Sequence, residues 1–528
     1  MLSLFLFLPT FFVQSDGGES DPRWSGFPAQ DMLSYAVQLT PDFAKQTVQG
    51  SVEYRVRFAE ESSIVQLHSL GGGKDWSVTY VDVAGNPLGD TWAREIATIQ
   101  FPQTFQKGET VTFKAEFQGK PKDGLYFRNN RHGEPLLFTD HFSSRARGWL
   151  PCEDHPSDRA HFSLEVALPP KMVLVGSGVD PEEDGVLETV SEIQSYLFAF
   201  SVGPYSRVSE GGDDRLVPHF IYRKDKPIAR RGLKYHAAWM QKMEQAFGTY
   251  AYGKYCVVQV PTRWGGMENA GNTWIMERLF DGADHGIGTL AHELVHQWFG
   301  DAVGYAEWKD AWLSEGFASY FGPWLHEADG GGVPLSQAMA QSRTRWLRSK
   351  IARSRPVRWG DFQKPDDFFG SSAPNTYQKG AWILHMLRGE MGDASFFTGL
   401  KKYYEKNTGK GVQTVDLQTA MEEVSGRSFQ WFFEQWLDRP GCPELSIQWE
   451  KNQVRVTQTQ EGSLFRFRLP LSWVDAQGVL QKRFLRISAQ ETISALGLGY
   501  TSPRIDPDIE LLYSNPPIEE VHLRERAE

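Results

Sequence analysis

Hydrophobic and polar residues alternate along the first third of the chain. Segments such as SVEYRVRF (residues 51–58), TVTFKAEF (110–117) and HFSLEVAL (161–168) are separated by clusters of Gly, Pro and Asp. Because successive side chains of a β-strand point to opposite faces, this alternation predicts strands with one buried face. We therefore predict an all-β domain over residues 16–208.

The period of the pattern lengthens after the glycines at positions 211 and 212. Apolar residues recur at helical spacing in KYHAAWMQKMEQAFGTY (residues 234–250), and they do so again around residues 289–301, 310–328 and 379–391. This spacing is typical of helices that bury one side. A mainly helical domain is therefore expected over residues 209–440.

Strand-like alternation returns after Pro440, in the segments LSIQWE, VRVTQTQ and FRFRLPLSWV. We expect a C-terminal β-sandwich over residues 441–528. The predicted fold class is therefore multidomain α+β. With 528 residues, of which 40% are hydrophobic, the chain is long enough to bury several separate cores.

The charge of the chain argues against one class of partner. A net charge of -11 does not provide the basic surface that general nucleic-acid binding requires. Residues 343–358 are a local exception, because they contain seven Arg and Lys residues and no acid. We interpret them as a solvated helix face. A role beside the active site, attracting the carboxylate of a short peptide through Arg345 and Arg348, is the alternative.

The cysteines and the N-terminal segment indicate in which cellular compartment the protein is expected. The three cysteines are far apart in the sequence, so we expect no disulfide framework. Residues 2–13, LSLFLFLPTFFV, are too short an apolar run to span a bilayer but suit a signal peptide. We predict a signal peptide over residues 1–15, export of the protein, and no membrane span in the mature chain. An uncleaved anchor or a buried strand are alternatives.

Residues 292–315, HELVHQWFGDAVGYAEWKDAWLSE, carry the strongest chemical signal. His292 and His296 are four residues apart and therefore share one helix face, where both imidazoles can bind one metal ion. Glu293 lies one step round the helix, within reach of an attacking water. Glu315, in the WLSEGF segment, is the expected third ligand, and three ligands leave one position of a zinc ion open. We predict one Zn²⁺ per chain.

Several further motifs accompany this one in a characteristic order. They are RARGWLPCEDHP (residues 145–156), FAFSVGPY (198–205), GGMEN (265–269), TYQKGA (376–381) and RIDPDIELLY (504–513). Together with HExxH, eighteen residues and Glu, they resemble the gluzincin family of zinc aminopeptidases typified by aminopeptidase N. The resemblance extends over most of the chain and implies that the helical domain is a thermolysin-like catalytic domain.

The resemblance also implies roles for individual residues. Glu293 is expected to act as the general base and acid, and Tyr377 of TYQKGA to donate a hydrogen bond to the oxyanion. Glu268 of GGMEN is expected to pair with the free α-ammonium of a peptide. The substrate site is expected to be completed by the other residues of this motif and by the preceding tryptophan: Gly265, Gly266, Met267, Asn269 and Trp264.

The chain departs from the family pattern at two positions. Phe142 stands where relatives usually have Glu or Gln, and phenylalanine cannot accept a hydrogen bond from the substrate amine. Asp140 lies two residues earlier, on the same face of an extended segment, and we expect it to substitute for that contact. Ser314 stands where relatives often have Asn, beside the predicted third ligand.

These observations predict an exported zinc aminopeptidase that removes N-terminal residues from peptides with a free N-terminus. An epoxide hydrolase of the leukotriene type, which shares the zinc site, is an alternative. A catalytically silent binding scaffold is a second alternative, although such a protein would be expected to lose ligands or the base. The oligomeric state does not follow from the sequence.

Overall fold

A computed structural model describes residues 21–178, 186–209, 218–328, 331–497 and 499–515. The predicted signal peptide lies outside these residues. The N-terminal part is built from thirteen strands in the described ranges: β1 (Gln30–Asp42), β2 (Thr47–Phe58), β3 (Ser62–His68), β4 (Trp76–Asp82), β5 (Gly89–Ala93), β6 (Ile96–Phe105), β7 (Thr110–Gly119), β8 (Leu125–Asn129), β9 (Pro135–Thr139), β10 (His161–Val166), β11 (Val173–Gly176), β12 (Val186–Glu188) and β13 (Phe200–Gly203).

The alternating segments of this part form the strands that their pattern predicts. A six-stranded sheet has the order β12-β10-β1-β2-β7-β4, in which β1 and β10 run parallel and the other pairs antiparallel. In β2, Val52, Tyr54, Val56 and Phe58 are buried while the residues between them face outward. Two smaller sheets, β11-β13-β9-β8 and β3-β6-β5, complete the β-rich region.

The middle of the chain is mainly helical, as its periodicity predicts. Its helices are α1 (Lys226–Leu233), α2 (His236–Phe247), α3 (Ile287–His296), α4 (Trp312–Ala328), α5 (Leu335–Arg348), α6 (Lys350–Ser354), α7 (Gly380–Met391), α8 (Asp393–Asn407), α9 (Thr414–Ser425) and α10 (Gln430–Leu437). Short strands join them: β14 (Tyr205–Val208), β15 (His219–Tyr222), β16 (Cys256–Val260), β17 (Gly266–Met267), β18 (Asn272–Met276), β19 (Val303–Tyr305) and β20 (Lys410–Val412).

A mixed five-stranded sheet of order β14-β15-β16-β18-β17 lies beside these helices. Strand β14 pairs with β15, so it belongs to this sheet and not to the N-terminal sheets. The boundary that we predicted after residue 208 stays a prediction, and the pairing of β14 with β15 spans it. Strands β17 and β18 form an antiparallel hairpin, and β17, which contains Gly266 and Met267 of the GGMEN motif, lies beside α3.

The C-terminal part contains six strands: β21 (Leu445–Trp449), β22 (Gln453–Gln458), β23 (Phe467–Val474), β24 (Leu480–Ile487), β25 (Glu491–Ala495) and β26 (Thr501–Ile505). They form two three-stranded antiparallel sheets, β21-β22-β25 and β24-β23-β26. Two such sheets agree with the predicted β-rich domain, while their packing as a sandwich stays a prediction.

The structure also bears on the cysteines and on the expected lack of a membrane span. All three cysteines, Cys152, Cys256 and Cys442, lie in the described ranges, are buried and form no disulfide. Among the helices of the described ranges, none combines the length and the apolar character that crossing a bilayer would require.

Candidate metal centre and active site

The three predicted metal ligands converge on one point. His292 and His296 lie on one face of α3, and Glu315 lies in the first turn of α4, which packs against α3. The two Nε2 atoms are 3.1 Å apart, and Glu315 Oε2 is 3.2 Å from Nε2 of His292 and 3.3 Å from Nε2 of His296. Ligand atoms about 2.0–2.1 Å from a tetrahedral zinc ion would be separated by about 3.3 Å, which these distances match.

The groups around each imidazole favour metal binding. Nδ1 of His296 is 2.9 Å from the Ser314 hydroxyl, and burial lowers the pKa of His292, which the backbone carbonyl of Ala318 acts to raise. When Nδ1 donates to such an acceptor, the neutral ring presents the lone pair of Nε2 instead. Two lone pairs and a carboxylate then face the same point, which is the donor set expected around a divalent cation.

Gly300 makes room for the Ser314 contact. Its backbone has a φ of +130°, and a Cβ at this position would lie 2.9 Å from Nδ1 of His296. A side chain at this position would therefore clash with the Ser314 hydroxyl and with Nδ1 of His296, and would disrupt the contact between them. Ser314 is buried, and its hydroxyl oxygen is positioned to accept a hydrogen bond from Nδ1 of His296.

Glu293 is held beside the metal ligands by the close approach of β17. The glutamate is buried, and a Cβ added to Gly266 would lie 2.5 Å from its carboxyl carbon. Only a glycine leaves space for this carboxylate, which gives Gly266 a packing role in addition to the substrate contact that we expected. Oxygen and nitrogen atoms of Glu268, Glu293 and His296 lie within 4.8 Å of one another.

The electrostatics of the site also favour a cation. Burial raises the pKa of Glu293 well above its ordinary value and raises that of Glu268. Burial lowers the pKa of His296, but the carboxylates of Glu268 and Glu315 outweigh this and raise it to about 10. Burial would raise the pKa of Glu315, whereas the two neighbouring histidines hold it below its ordinary value. Three carboxyl groups share this buried space, and a bound divalent cation would compensate their charge.

Tyr377 lines the same cavity as Glu293 and lies on a five-residue π-helix (Asn375–Lys379) that precedes α7. Its hydroxyl donates to Glu315 Oε1 at 2.6 Å, and its ring lies parallel to that of His292 with centroids 6.2 Å apart. Burial raises the pKa of Tyr377 well above 10, so the phenol keeps its proton. The sequence motif predicted the position of this donor but not the π-helix that presents it.

Buried hydrogen bonds anchor this π-helix on three sides. Asn375 accepts from the indole N–H of Trp346 at 2.8 Å and donates to the carbonyl of Arg355 at 3.0 Å. The Thr376 hydroxyl donates to a carbonyl 2.8 Å away, and the buried Lys379 ammonium donates to the carbonyl of Arg439 at 3.1 Å. Burial lowers the pKa of Lys379 to about 8.

These groups open into a cavity of about 330 Å³. Ten of the twelve residues in our predicted site line it, together with Phe142 and three residues that we did not predict: Phe369, Gly288 and Thr289. Gly288 and Thr289 lie one turn before His292 on the same helix, so helical spacing could have indicated them. No sequence motif pointed to Phe369.

Asn269 and Asp140 do not line this cavity. The backbone carbonyl of Asn269 is instead held by a neighbouring side chain and by the N–H of Asn272, so this residue shapes the turn after β17. The Asp140 carboxylate is buried and accepts a hydrogen bond from the Arg145 guanidinium. Asp140 is thereby occupied by a cation of the protein itself, so we no longer expect it to contact the substrate amine.

The part of the cavity wall around Phe142 is apolar. The ring of Phe142 packs edge-on against the ring of Phe369, with the ring centroids 4.6 Å apart, and Met267 and Trp264 line the same cavity. Arg345 and Arg348, the alternative anion-attracting residues, are exposed and do not line it, which agrees with their interpretation as a solvated helix face.

Comparison with known proteins identifies the family. The profile of the Peptidase M1 N-terminal domain matches residues 32–194, and that of the Peptidase family M1 domain matches residues 232–436, which contain all three predicted ligands, Glu293 and Tyr377. The chain belongs to the M1 peptidase family. The gluzincin resemblance of the sequence is thus confirmed.

Individual M1 relatives are similar over large parts of the chain. Tricorn protease-interacting factor F2 of Thermoplasma acidophilum is 27% identical over 78% of this chain and 56% of its own length. Human glutamyl aminopeptidase is 23% identical over 86% of this chain and 52% of its own. Aminopeptidase N of Streptomyces lividans is 29% identical over 59% and 39%. The chain thus spans about half the length of the relatives that it matches.

Proposed function

We propose that this chain is a zinc-dependent aminopeptidase that hydrolyses the first peptide bond of peptides. The observation that carries the proposal is the placement of Glu268, a buried carboxylate within 4.8 Å of both Glu293 and His296. A carboxylate at this distance can pair with the ammonium group of a substrate and place the adjoining peptide bond beside the base. An endopeptidase has no need of such a group.

The ligands His292, His296 and Glu315 would hold one zinc ion. When bound, zinc lowers the pKa of water from about 16 towards 7 and polarises the substrate carbonyl. Glu293 removes the proton of the attacking water and delivers it to the departing amine nitrogen. Tyr377 donates a hydrogen bond to the oxygen on which negative charge develops. Gly265 carries no side chain to obstruct an extended substrate backbone.

The apolar wall of the cavity indicates the preferred first residue. Phe142, Phe369, Met267 and Trp264 offer carbon surface and no buried cation or carboxylate to the first side chain. We therefore propose that peptides with an apolar first residue are better substrates than those with an acidic or basic one. Phe142 takes no part in amine binding, which leaves this task to Glu268.

A panel of aminoacyl 4-nitroanilides tests the proposal. We expect the purified protein to hydrolyse the leucine and phenylalanine compounds at least about tenfold faster than the glutamate and lysine compounds, because burying apolar side chains contributes about 1.5–3 kcal/mol. A chelator should abolish the activity, and zinc should restore it. N-acetylated leucine 4-nitroanilide is the control, because it lacks the ammonium group.

The possible outcomes separate the alternatives. Equal hydrolysis of the acetylated compound would contradict a role for Glu268 and thus exopeptidase activity. If zinc-loaded protein hydrolysed none of the compounds, the binding scaffold would be favoured. Such a scaffold is expected to have lost metal ligands or the base, whereas this chain retains both. Turnover of a leukotriene epoxide without aminopeptidase activity would favour the epoxide hydrolase.

We also propose that the protein is exported. The proposal is supported by the apolar residues 2–13 alone, and these lie outside the described part of the chain. Cell fractionation with N-terminal sequencing tests it. A mature N-terminus near Asp16 is expected, whereas intact protein confined to the cytosol would contradict it.

A further inference from the structure

Gln297 follows the metal ligand His296 directly, and its side chain is completely buried. The residue lies at the C-terminal cap of α3. Its Nε2 donates to the backbone carbonyls of Glu268 at 2.9 Å and Asn269 at 3.3 Å. Its Oε1 accepts from the N–H of Gly271 at 2.9 Å. One side chain thus binds three backbone groups of the segment that carries the amine-binding carboxylate.

This segment, residues 268–271, is the turn between β17 and β18. Turns depend on specific contacts for their conformation, because they lack the repeated hydrogen bonds of a sheet. Here the turn closes with a bond from Asn272 N to the carbonyl of Asn269, and Gly271 has a φ of +76°. The Gln297 amide supplies partners for the carbonyl of Glu268 and the N–H of Gly271. The N–H of Ala270 donates instead to the carbonyl of Leu197 at 3.3 Å. It therefore joins this turn to the helix that carries both histidine ligands.

The amide is itself held in one orientation. Its Nε2 also donates to Oδ2 of Asp301 at 2.8 Å, and the backbone N–H of Asp301 bonds the carbonyl of His296 at 3.0 Å. The Tyr250 hydroxyl is 3.4 Å from Oε1. Since both ends of the amide have fixed partners, the distance between α3 and the turn is not free to vary.

We propose that Gln297 is a positioning residue that sets the separation between the Glu268 carboxylate and the metal ligands. This inference rests on the proposed aminopeptidase function. In an exopeptidase that separation determines which peptide bond reaches the base, since the ammonium group is anchored at one end. Loss of the amide lets the turn shift, so the substrate ammonium is bound less well while the ligands and Glu293 remain in place.

Two substitutions at Gln297 test the role. Gln297→Met keeps the approximate length of the side chain and removes every hydrogen bond. Gln297→Glu keeps the acceptor for Gly271 but cannot donate to the carbonyl of Glu268. The matched control is Gln259→Met, because Gln259 is also completely buried and its amide likewise bonds a backbone carbonyl, a carboxylate and a backbone N–H outside the cavity. Each variant is made with and without Glu268→Ala.

The measured quantities are KM and kcat for leucine 4-nitroanilide, zinc content and thermal unfolding. In the chain with Glu268, both Gln297 variants should raise KM about tenfold or more, as expected for loss of buried hydrogen bonds. Zinc content should equal that of the wild type, and Gln259→Met should leave KM within about twofold. In the Glu268→Ala background, the Gln297 substitutions should change KM by less than about twofold, because the group that they position is gone.

Equal effects of Gln297→Met in both backgrounds would overturn the proposal and indicate a purely structural amide. Failure of both Gln297 variants to fold would overturn it as well, because the residue would then be a determinant of the fold. If the wild type itself does not hydrolyse leucine 4-nitroanilide, the proposed function fails. If the wild type is active and the effects are additive, the Gln297 inference fails and the proposed function stands.

Discussion

Gly316 and Gly380 bring the backbones of two helices into contact. A Cβ on Gly316 would lie 2.9 Å from the Cα of Gly380. Gly316 directly follows the predicted ligand Glu315, and Gly380 directly follows the π-helix that carries Tyr377. The close approach of α4 and α7 therefore permits the hydrogen bond of 2.6 Å between Tyr377 and Glu315.

Gly316→Ala should disturb this contact. The added methyl group meets backbone, which cannot move aside as a side chain would, and we expect a loss of about 1–3 kcal/mol in the free energy of unfolding. The variant should also lose kcat, because Tyr377 moves away from the reacting carbonyl. Thermal unfolding and arylamide kinetics measure both effects.

Gly389→Ala is the control for this substitution, because it lies on α7 and a Cβ there meets its nearest atom at 4.0 Å. It should keep or increase stability by up to about 1 kcal/mol, through higher helix propensity. Wild-type stability and turnover in Gly316→Ala would show that the glycine contact does not determine the geometry.

Gly266→Ala should displace the base. The new Cβ would occupy space 2.5 Å from the carboxyl carbon of Glu293, so this side chain must turn away. We expect kcat to fall on the order of 100-fold, in the range that general acid–base catalysis contributes. Zinc content should be retained, since none of the three ligands is touched.

Gly265→Ala is the control, because it shows whether any added methyl group in the GGMEN motif lowers kcat. No atom lies within 4 Å of a Cβ at that position, so its effect should be smaller and confined to KM. Equal kcat losses in the two variants would argue against a specific clash between Gly266 and Glu293.

Much of the site follows from its spacing in the sequence. The helical period places His292, Glu293 and His296 on adjoining positions of α3. Because Glu293, His296 and Glu315 are buried there beside the partly buried His292, a cation would be favoured. The strands β2, β7 and β10 likewise follow from strict alternation. In each of these cases a local period of the chain decides the structure.

Other features depend on contacts between distant segments. Phe369 reaches the cavity from a loop more than two hundred residues away from Phe142, and no period connects the two. Asp140 was expected to face the substrate from its position on an extended segment, but Arg145 takes its carboxylate. The π-helix around Tyr377 depends on Trp346 and Arg439, which the motif does not contain.

Ser314→Ala should weaken zinc binding. The hydroxyl is 2.9 Å from Nδ1 of His296 and fixes the orientation of this ligand. Loss of such a partner typically costs about 10–100-fold in metal affinity. A competition titration with a chromophoric chelator measures the dissociation constant directly.

Ser201→Ala provides the comparison, because Ser201 is also buried and hydrogen-bonded but belongs to β13 of the N-terminal domain. Its zinc affinity should equal that of the wild type. If Ser314→Ala also bound zinc as tightly as the wild type, the hydroxyl would have no part in orienting His296.

Tyr377→Phe should affect turnover without affecting the metal. The variant lacks the donor to the developing oxyanion, and we expect kcat to fall on the order of 100-fold or more. Zinc content and KM should stay near wild-type values. Near-normal turnover would remove Tyr377 from the mechanism, whereas loss of zinc would indicate that its bond to Glu315 is needed to hold that ligand.

We predict that His292, His296 and Glu315 hold one zinc ion beside Glu293. The test is a calorimetric titration of zinc into chelator-treated protein, in which the rate of leucine 4-nitroanilide hydrolysis is measured after each addition. We predict that activity rises in proportion to bound zinc and saturates at about one ion per chain, and that Glu315→Ala loses both binding and activity. Full activity in zinc-free protein, or unchanged zinc binding by Glu315→Ala, would show that these three residues do not form the catalytic metal site.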